Sequence, residues 1–187
     1  MDIRVIPTAL DGVVIIETAF AQDERGFFIE SYHRANYVAH GLTEELVQDN
    51  HSRSAQGVLR GLHYQGPPTP QIKLVRCTVG AILDVAVDLR VGSPTFGQAV
   101  QVELSAENKR QLWVPVGFGH GFLTLSASAE VQYKCSTYYD PATEGTVAWN
   151  DPELAIPWPN PTPTLSDRDN AAPSLRDYRA NPAFRHR

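Results

Sequence analysis

Polar side chains on the apolar face of a strand are informative, because burying an unpaired polar group is costly. Tyr133 shares its parity with Val131 and Cys135, and Lys73 shares its parity with Val75 and Cys77, so both side chains are expected to point inward. His63 lies in Arg60-Gly61-Leu62-His63-Tyr64-Gln65, where strict alternation groups Arg60 with Leu62 and His63 with Gln65. Taken singly, each has a bland reading: a hydrogen-bonded core tyrosine, a lysine with a buried stem, a satisfied histidine. Taken together, an imidazole, an ammonium and a phenol are groups that exchange protons or hold anions.

The elements that must position them are strands. In Ala81 to Arg90, Leu83, Val85, Val87 and Leu89 fall on one face and Asp84, Asp88 and Arg90 on the other, a period of two. The same alternation runs through Lys73 to Val79, Gln98 to Leu104 and Val131 to Cys135, with Gly66-Pro67-Pro68, Gly80, Gly92-Ser93-Pro94, Pro115 and Gly117 between. Strands this close, with no amphipathic helices between them, predict an antiparallel sandwich or barrel. A short helix is expected over Arg34 to Ala39.

The length of 187 residues predicts one domain, 1–187, with about 160–187 as a closing segment and C-terminal tail. A hydrophobic fraction of 42% is enough to bury a core, so compositional disorder is excluded. A net charge of −5 argues against nucleic acid or an anionic membrane as the main partner. The two cysteines, Cys77 and Cys135, each lie inside a strand, which fits a reduced, cytoplasmic protein better than a disulfide scaffold. No signal peptide or membrane span is readable. Trp113, Trp149 and Trp158 are expected in the core or at an interface.

Two motifs resemble the halves of a cupin metal site. Pro115-Val116-Gly117-Phe118-Gly119-His120 matches Pro-x-Gly-x-x-His, and Gly61 to Gln65 stands where the first half has His-x-His. The second histidine of that half is Gln65 here, and a site that loses a ligand to a neutral amide is much weakened, so the pocket is expected to be metal-free.

An ordered series of runs then resembles the dTDP-4-dehydrorhamnose 3,5-epimerase family. It includes Asp23 to Glu30, Gln48 to Ser52, Gly57 to Gln65, Lys73 to Arg76, Asp84 to Arg90, Ser93 to Gly97, Leu112 to Phe122, Tyr133-Lys134, Tyr138-Tyr139, Trp149 to Pro152 and Leu165 to Asp169. The resemblance implies an all-β, cupin-type double-stranded β-helix (jelly roll) barrel with short peripheral helices. It also implies a homodimeric enzyme that inverts C3, C5 or both of a dTDP-4-keto-6-deoxyhexose without a cofactor. By the same resemblance His63 is the general base, Asp169 orients it and raises its basicity, Lys73 stabilises an enolate and Tyr133 is the general acid. Arg25, Glu30, Gln48, Asn50, Arg60, His120, Tyr139, Glu144 and Arg168 correspond to substrate-binding positions. His51 and Tyr64 are expected to support the site from behind. Three other readings stay open: a sugar-nucleotide 3,4-ketoisomerase of the same fold, a non-catalytic nucleotide-sugar-binding cupin, and a metal-dependent cupin dioxygenase, the last disfavoured by Gln65.

Overall fold

The structure is a computed structural model and describes residues 1–186. The first half of the chain forms β1 (Ile3–Pro7), β2 (Val14–Thr18), β3 (Phe20–Asp23), β4 (Gly26–Ile29), α1 (Arg34–Ala39), β5 (Gln48–Ala55), β6 (Leu59–Gln65), β7 (Lys73–Val79) and β8 (Ala81–Asp88). It continues with β9 (Ala99–Ser105), β10 (Gln111–Val114), β11 (Phe118–Thr124), β12 (Ser128–Cys135), β13 (Glu144–Thr146), α2 (Asp167–Asn170) and α3 (Leu175–Ala180). The strands build a six-stranded sheet, β1-β2-β10-β7-β12-β5, and a five-stranded sheet, β13-β6-β11-β8-β9; β3 and β4 form a separate hairpin. From β5 to β12 the chain passes back and forth between the two sheets, except at the β8–β9 hairpin, and their strands pair antiparallel, as in a cupin jelly roll.

The interior between the sheets is filled by Val75, Cys77, Leu112 and Val131 from one side and Ile82, Ala86, Phe118 and Phe122 from the other. A second apolar layer lies outside the five-stranded sheet, where Leu62, Val85, Val87 and Leu89 are covered by Leu154, Leu175, Tyr178 and Phe184. Strand β8 is therefore buried on both faces. Its apolar face turns to the outer layer, while Asp84 and Asp88, each fully buried, share the interior parity of Ile82 and Ala86. A third layer packs Tyr37 of α1 with Ile16, Leu74 and Trp113 outside the six-stranded sheet.

The segment after Asn160 closes the molecule. Ser166 caps α2 by accepting the Asp169 N–H, and Ser174 with Asp177 forms a capping box on α3. Tyr178 donates its hydroxyl to the Leu89 carbonyl at 2.8 Å and accepts the Phe184 N–H at 3.1 Å, which ties α3 to the end of β8. Of the tryptophans, Trp113 is buried, and Trp158 donates its indole N–H to the Trp149 carbonyl with the two rings edge to face.

Candidate active site

A cavity of about 560 Å³ opens between the two sheets. The five-stranded sheet contributes Arg60 and His63 from β6 and His120 from β11, the six-stranded sheet contributes Lys73 and Tyr133, and α2 closes it with Arg168 and Asp169. A smaller recess of about 270 Å³ shares His63, Lys73, Tyr133 and Glu144, and adds Gln48, Asn50 and Tyr139.

A bulge in β6 makes this convergence possible. His63 opposes His120 and Arg60 opposes Phe122, so β6 uses three steps where β11 uses two. The extra residue resets the parity: Arg60 and His63 both face the cavity, while Leu62 turns into the outer layer. Strict alternation had placed Arg60 with Leu62, and the bulge overturns that grouping. Glycine makes the close approach possible, since a Cβ on Gly61 would lie 2.5 Å from the Gly121 Cα and its φ is +129°.

His63 is fixed through one nitrogen. Its Nε2 lies 2.5 Å from Oδ1 of the buried Asp169. A carboxylate only accepts, so Nε2 carries the hydrogen, and Nδ1, without a partner among the described residues, holds the lone pair of the neutral ring. Burial lowers the His63 pKa from its usual value; Asp169 pulls it back up, but not enough. The Asp169 carboxylate does raise the basicity of the imidazole, and desolvation outweighs that gain. Burial raises the Asp169 pKa, yet its bond with His63 prevails and the carboxyl stays below its ordinary range.

Lys73 faces His63 from the other sheet, and burial lowers its pKa. No carboxylate lies within ion-pair distance of its ammonium among the described residues, and its Nζ sits 5.9 Å from the Tyr133 ring centroid. Burial also raises the Tyr133 pKa, which keeps the phenol protonated. Its hydroxyl has no hydrogen-bond partner among the described residues. The cavity thus has an imidazole with a free ring nitrogen on one wall, and on the other a phenol beside an ammonium that makes no direct ion pair among the described residues.

The rim is a polar network. Glu144 accepts from Arg168 at 2.5 Å and from the Tyr139 hydroxyl at 2.8 Å, and these two bonds lower its pKa although burial works the other way. Gln48 accepts the Tyr139 N–H and donates to Asn50, while Arg60 donates to the Ser54 hydroxyl. His120 is bonded through Nε2 to Asp84 at 2.8 Å.

The family model for dTDP-4-dehydrorhamnose 3,5-epimerase matches residues 7–177. This chain belongs to that family. It is 55% identical over 173 residues to the dTDP-4-dehydrorhamnose 3,5-epimerase of Salmonella typhimurium, covering 91% of this chain and 94% of the relative. It is 44% identical to the dTDP-4-dehydrorhamnose 3-epimerase of Streptomyces niveus, covering 94% and 86%. The crystal structure of dTDP-6-deoxy-D-glucose-3,5-epimerase from Legionella pneumophila, in complex with dTDP-4-keto-L-rhamnose, superposes with a TM-score of 0.95 at 50% identity, covering 99% of each chain.

Two positions that the epimerase resemblance assigns to substrate stand apart from the cavity. Arg25, at the β3–β4 turn, is exposed and paired with Asp23, and Glu30 is paired with the amino group of Met1. His51 sits on the outward parity of β5, bonded to Glu130, and does not back the cavity as the epimerase reading expected. Tyr64 lines the smaller recess and packs edge to face on Tyr178 and Phe184. Gln65 has a role the sequence did not suggest. Its amide donates to the Thr69 and Tyr138 carbonyls and accepts the Asp140 N–H, joining the loops after β6 and β12. Asp84 was also missed as a site residue, and the only sign of it was a carboxylate in register with Ile82 and Ala86.

Proposed function

We propose that this chain epimerises a dTDP-4-keto-6-deoxyhexose by proton transfer, acting as one catalytic unit over residues 1–187. His63 Nδ1 removes the proton on a carbon next to the C4 ketone, and the bonding pair moves into an enolate whose oxygen faces the Lys73 ammonium. Tyr133 gives its hydroxyl proton to the opposite face of that carbon, and solvent then returns His63 and Tyr133 to their starting states. The carbonyl already in the substrate acidifies the hydrogen, so base, acid and cation suffice and no cofactor is required. The observation that carries this reading is that His63 and Tyr133 reach one cavity from opposite sheets, with a half-buried, unpaired ammonium beside them.

Arg60, Arg168 and His120 are the groups suited to the diphosphate and sugar oxygens, and Gln48, Asn50, Tyr139 and Glu144 to the remainder of the nucleotide sugar. Inversion at both C3 and C5 is the preferred outcome, because the 3,5-epimerase relative is more similar in sequence than the 3-epimerase. The working form is a homodimer. Arg25 and Glu30, remote from the cavity of their own chain, would then meet substrate through a second copy, and the exposed Phe27 and Phe28 on the same hairpin supply apolar surface for it. A reduced, cytoplasmic setting fits the two free, buried thiols; no helix among the described residues is long and apolar enough to cross a membrane.

The test is incubation with dTDP-4-keto-6-deoxyglucose in heavy water, with deuterium located by NMR. Label at C3 and C5 with the ketone still at C4 is expected. Label at C3 alone identifies a 3-epimerase, a displaced ketone identifies a ketoisomerase, and binding without label identifies a non-catalytic module. His63→Ala is expected to abolish exchange and retain dTDP binding.

A further inference from the structure

Asp84 and His120 form a second imidazole–carboxylate pair, which the proton-transfer steps leave unused. Asp84 is fully buried on β8, opposite Phe122, on the face lined by Ile82 and Ala86. Its Oδ1 accepts from His120 Nε2 at 2.8 Å, and its Oδ2 has no hydrogen-bond partner. Among the described residues His120 is its only ion-pair partner. A carboxylate held in an apolar interior by one bond is costly, and an apolar side chain of similar size would fit the surroundings better. Packing therefore does not explain it.

The geometry of the imidazole supplies an explanation. Because a carboxylate accepts and does not donate, Nε2 must carry its hydrogen toward Asp84, which leaves Nδ1 on the other side of the ring. Nδ1 has no partner among the described residues, and His120 lines the main cavity directly across from His63 on the neighbouring strand. The two histidines are thus pinned alike, each by Nε2, from different quarters: Asp169 holds His63 from the closing segment and Asp84 holds His120 from inside the barrel.

We propose that Asp84 is a positioning residue that fixes the ring orientation and tautomer of His120, so that Nδ1 is presented to a sugar or phosphate oxygen of the bound nucleotide sugar. This rests on the epimerase reading of the cavity. An amide at position 84 could donate as well as accept, so it would no longer dictate which ring nitrogen carries the hydrogen.

The experiment compares wild type, Asp84→Asn, His120→Ala and the double variant, with circular dichroism and the thermal unfolding midpoint as the check on folding. Long-range proton–nitrogen NMR of the His120 ring is expected to show Nε2 protonated in the wild type and a mixture of forms in Asp84→Asn. Losing a contact made in both ground and transition states should raise KM about tenfold in Asp84→Asn, with kcat changed less than about threefold. In the His120→Ala background, Asp84→Asn should add nothing further to KM. An unchanged KM and ring spectrum in Asp84→Asn, or losses that add in the double variant, would overturn the proposal. Absence of hydrogen exchange in the wild type would instead reject the epimerase reading beneath it.

Discussion

In the proposed mechanism His63 is a base made available by desolvation. A neutral imidazole is the active form, and burial lowers its pKa, so the acid limb of kcat/KM against pH is expected to have its midpoint below 6.5, the ordinary histidine value. A pH–rate profile with a midpoint above that value would contradict the assignment. Stability follows the same sign: as pH falls below about 6.5 the unfolded chain takes up this proton before the folded one does, and folding weakens. Lys73 has the opposite profile of usefulness. Its ammonium is half-buried and desolvated without a carboxylate partner, so it destabilises the resting protein. Lys73→Met should lower kcat by about 10²–10³-fold, as for removal of an oxyanion-stabilising group, and should raise the thermal unfolding midpoint. Loss of activity together with loss of stability would show that the ammonium is structural.

At the level of elements, the decisive feature is the bulge in β6. Gly61→Ala would drive a Cβ into the backbone of β11, 2.5 Å from Gly121 and 2.8 Å from the His120 carbonyl, at a φ that side chains avoid. The expected cost is about 2 kcal/mol or more, with an unfolding midpoint lowered by roughly 4–8 °C and a fall in kcat, since Arg60 and His63 both hang from the displaced segment. Calorimetry and steady-state kinetics check both. Alternation alone made β7, β12 and the inward directions of Lys73 and Tyr133 legible, and the sequence marked the bounds of α1. The bulge was not legible, because Gly61 and Gly121 matter through their contact across two strands, which no local pattern records. In strand β8 alternation showed which residues share a face but not which layer the face meets: the apolar face serves the outer layer, covered by Leu154, Leu175, Tyr178 and Phe184. Helices α2 and α3 were not legible in the sequence, because the runs behind their caps, Ser166 and Ser174, are too short for helical periodicity. The His63–Asp169 pair, 106 positions apart, was visible only through the family resemblance.

At the scale of the whole molecule, an acidic chain gathers Arg60, Lys73 and Arg168 around its cavity, so a nucleotide diphosphate meets local positive charge within a net charge of −5. The β3–β4 hairpin is held against the barrel by Lys109, whose ammonium lies 4.7 Å from the Phe20 ring and 4.4 Å from the Phe27 ring, yet Arg25 and Phe28 project away from it. If a homodimer shares its sites, Arg25→Ala and His63→Ala subunits are each impaired alone, and co-expressed heterodimers should regain activity, because one of the two sites then holds both residues. Kinetics on purified heterodimers decide it, and no recovery would confine each site to one chain. The Gln65 amide has an implication for anyone wishing to refit this scaffold as a metalloenzyme. Histidine at position 65 would supply a ligand but undo a clasp, because an imidazole cannot donate to two carbonyls and accept an N–H at once. Any such graft must first provide the loops that follow Gln65 and Cys135 with another fastening.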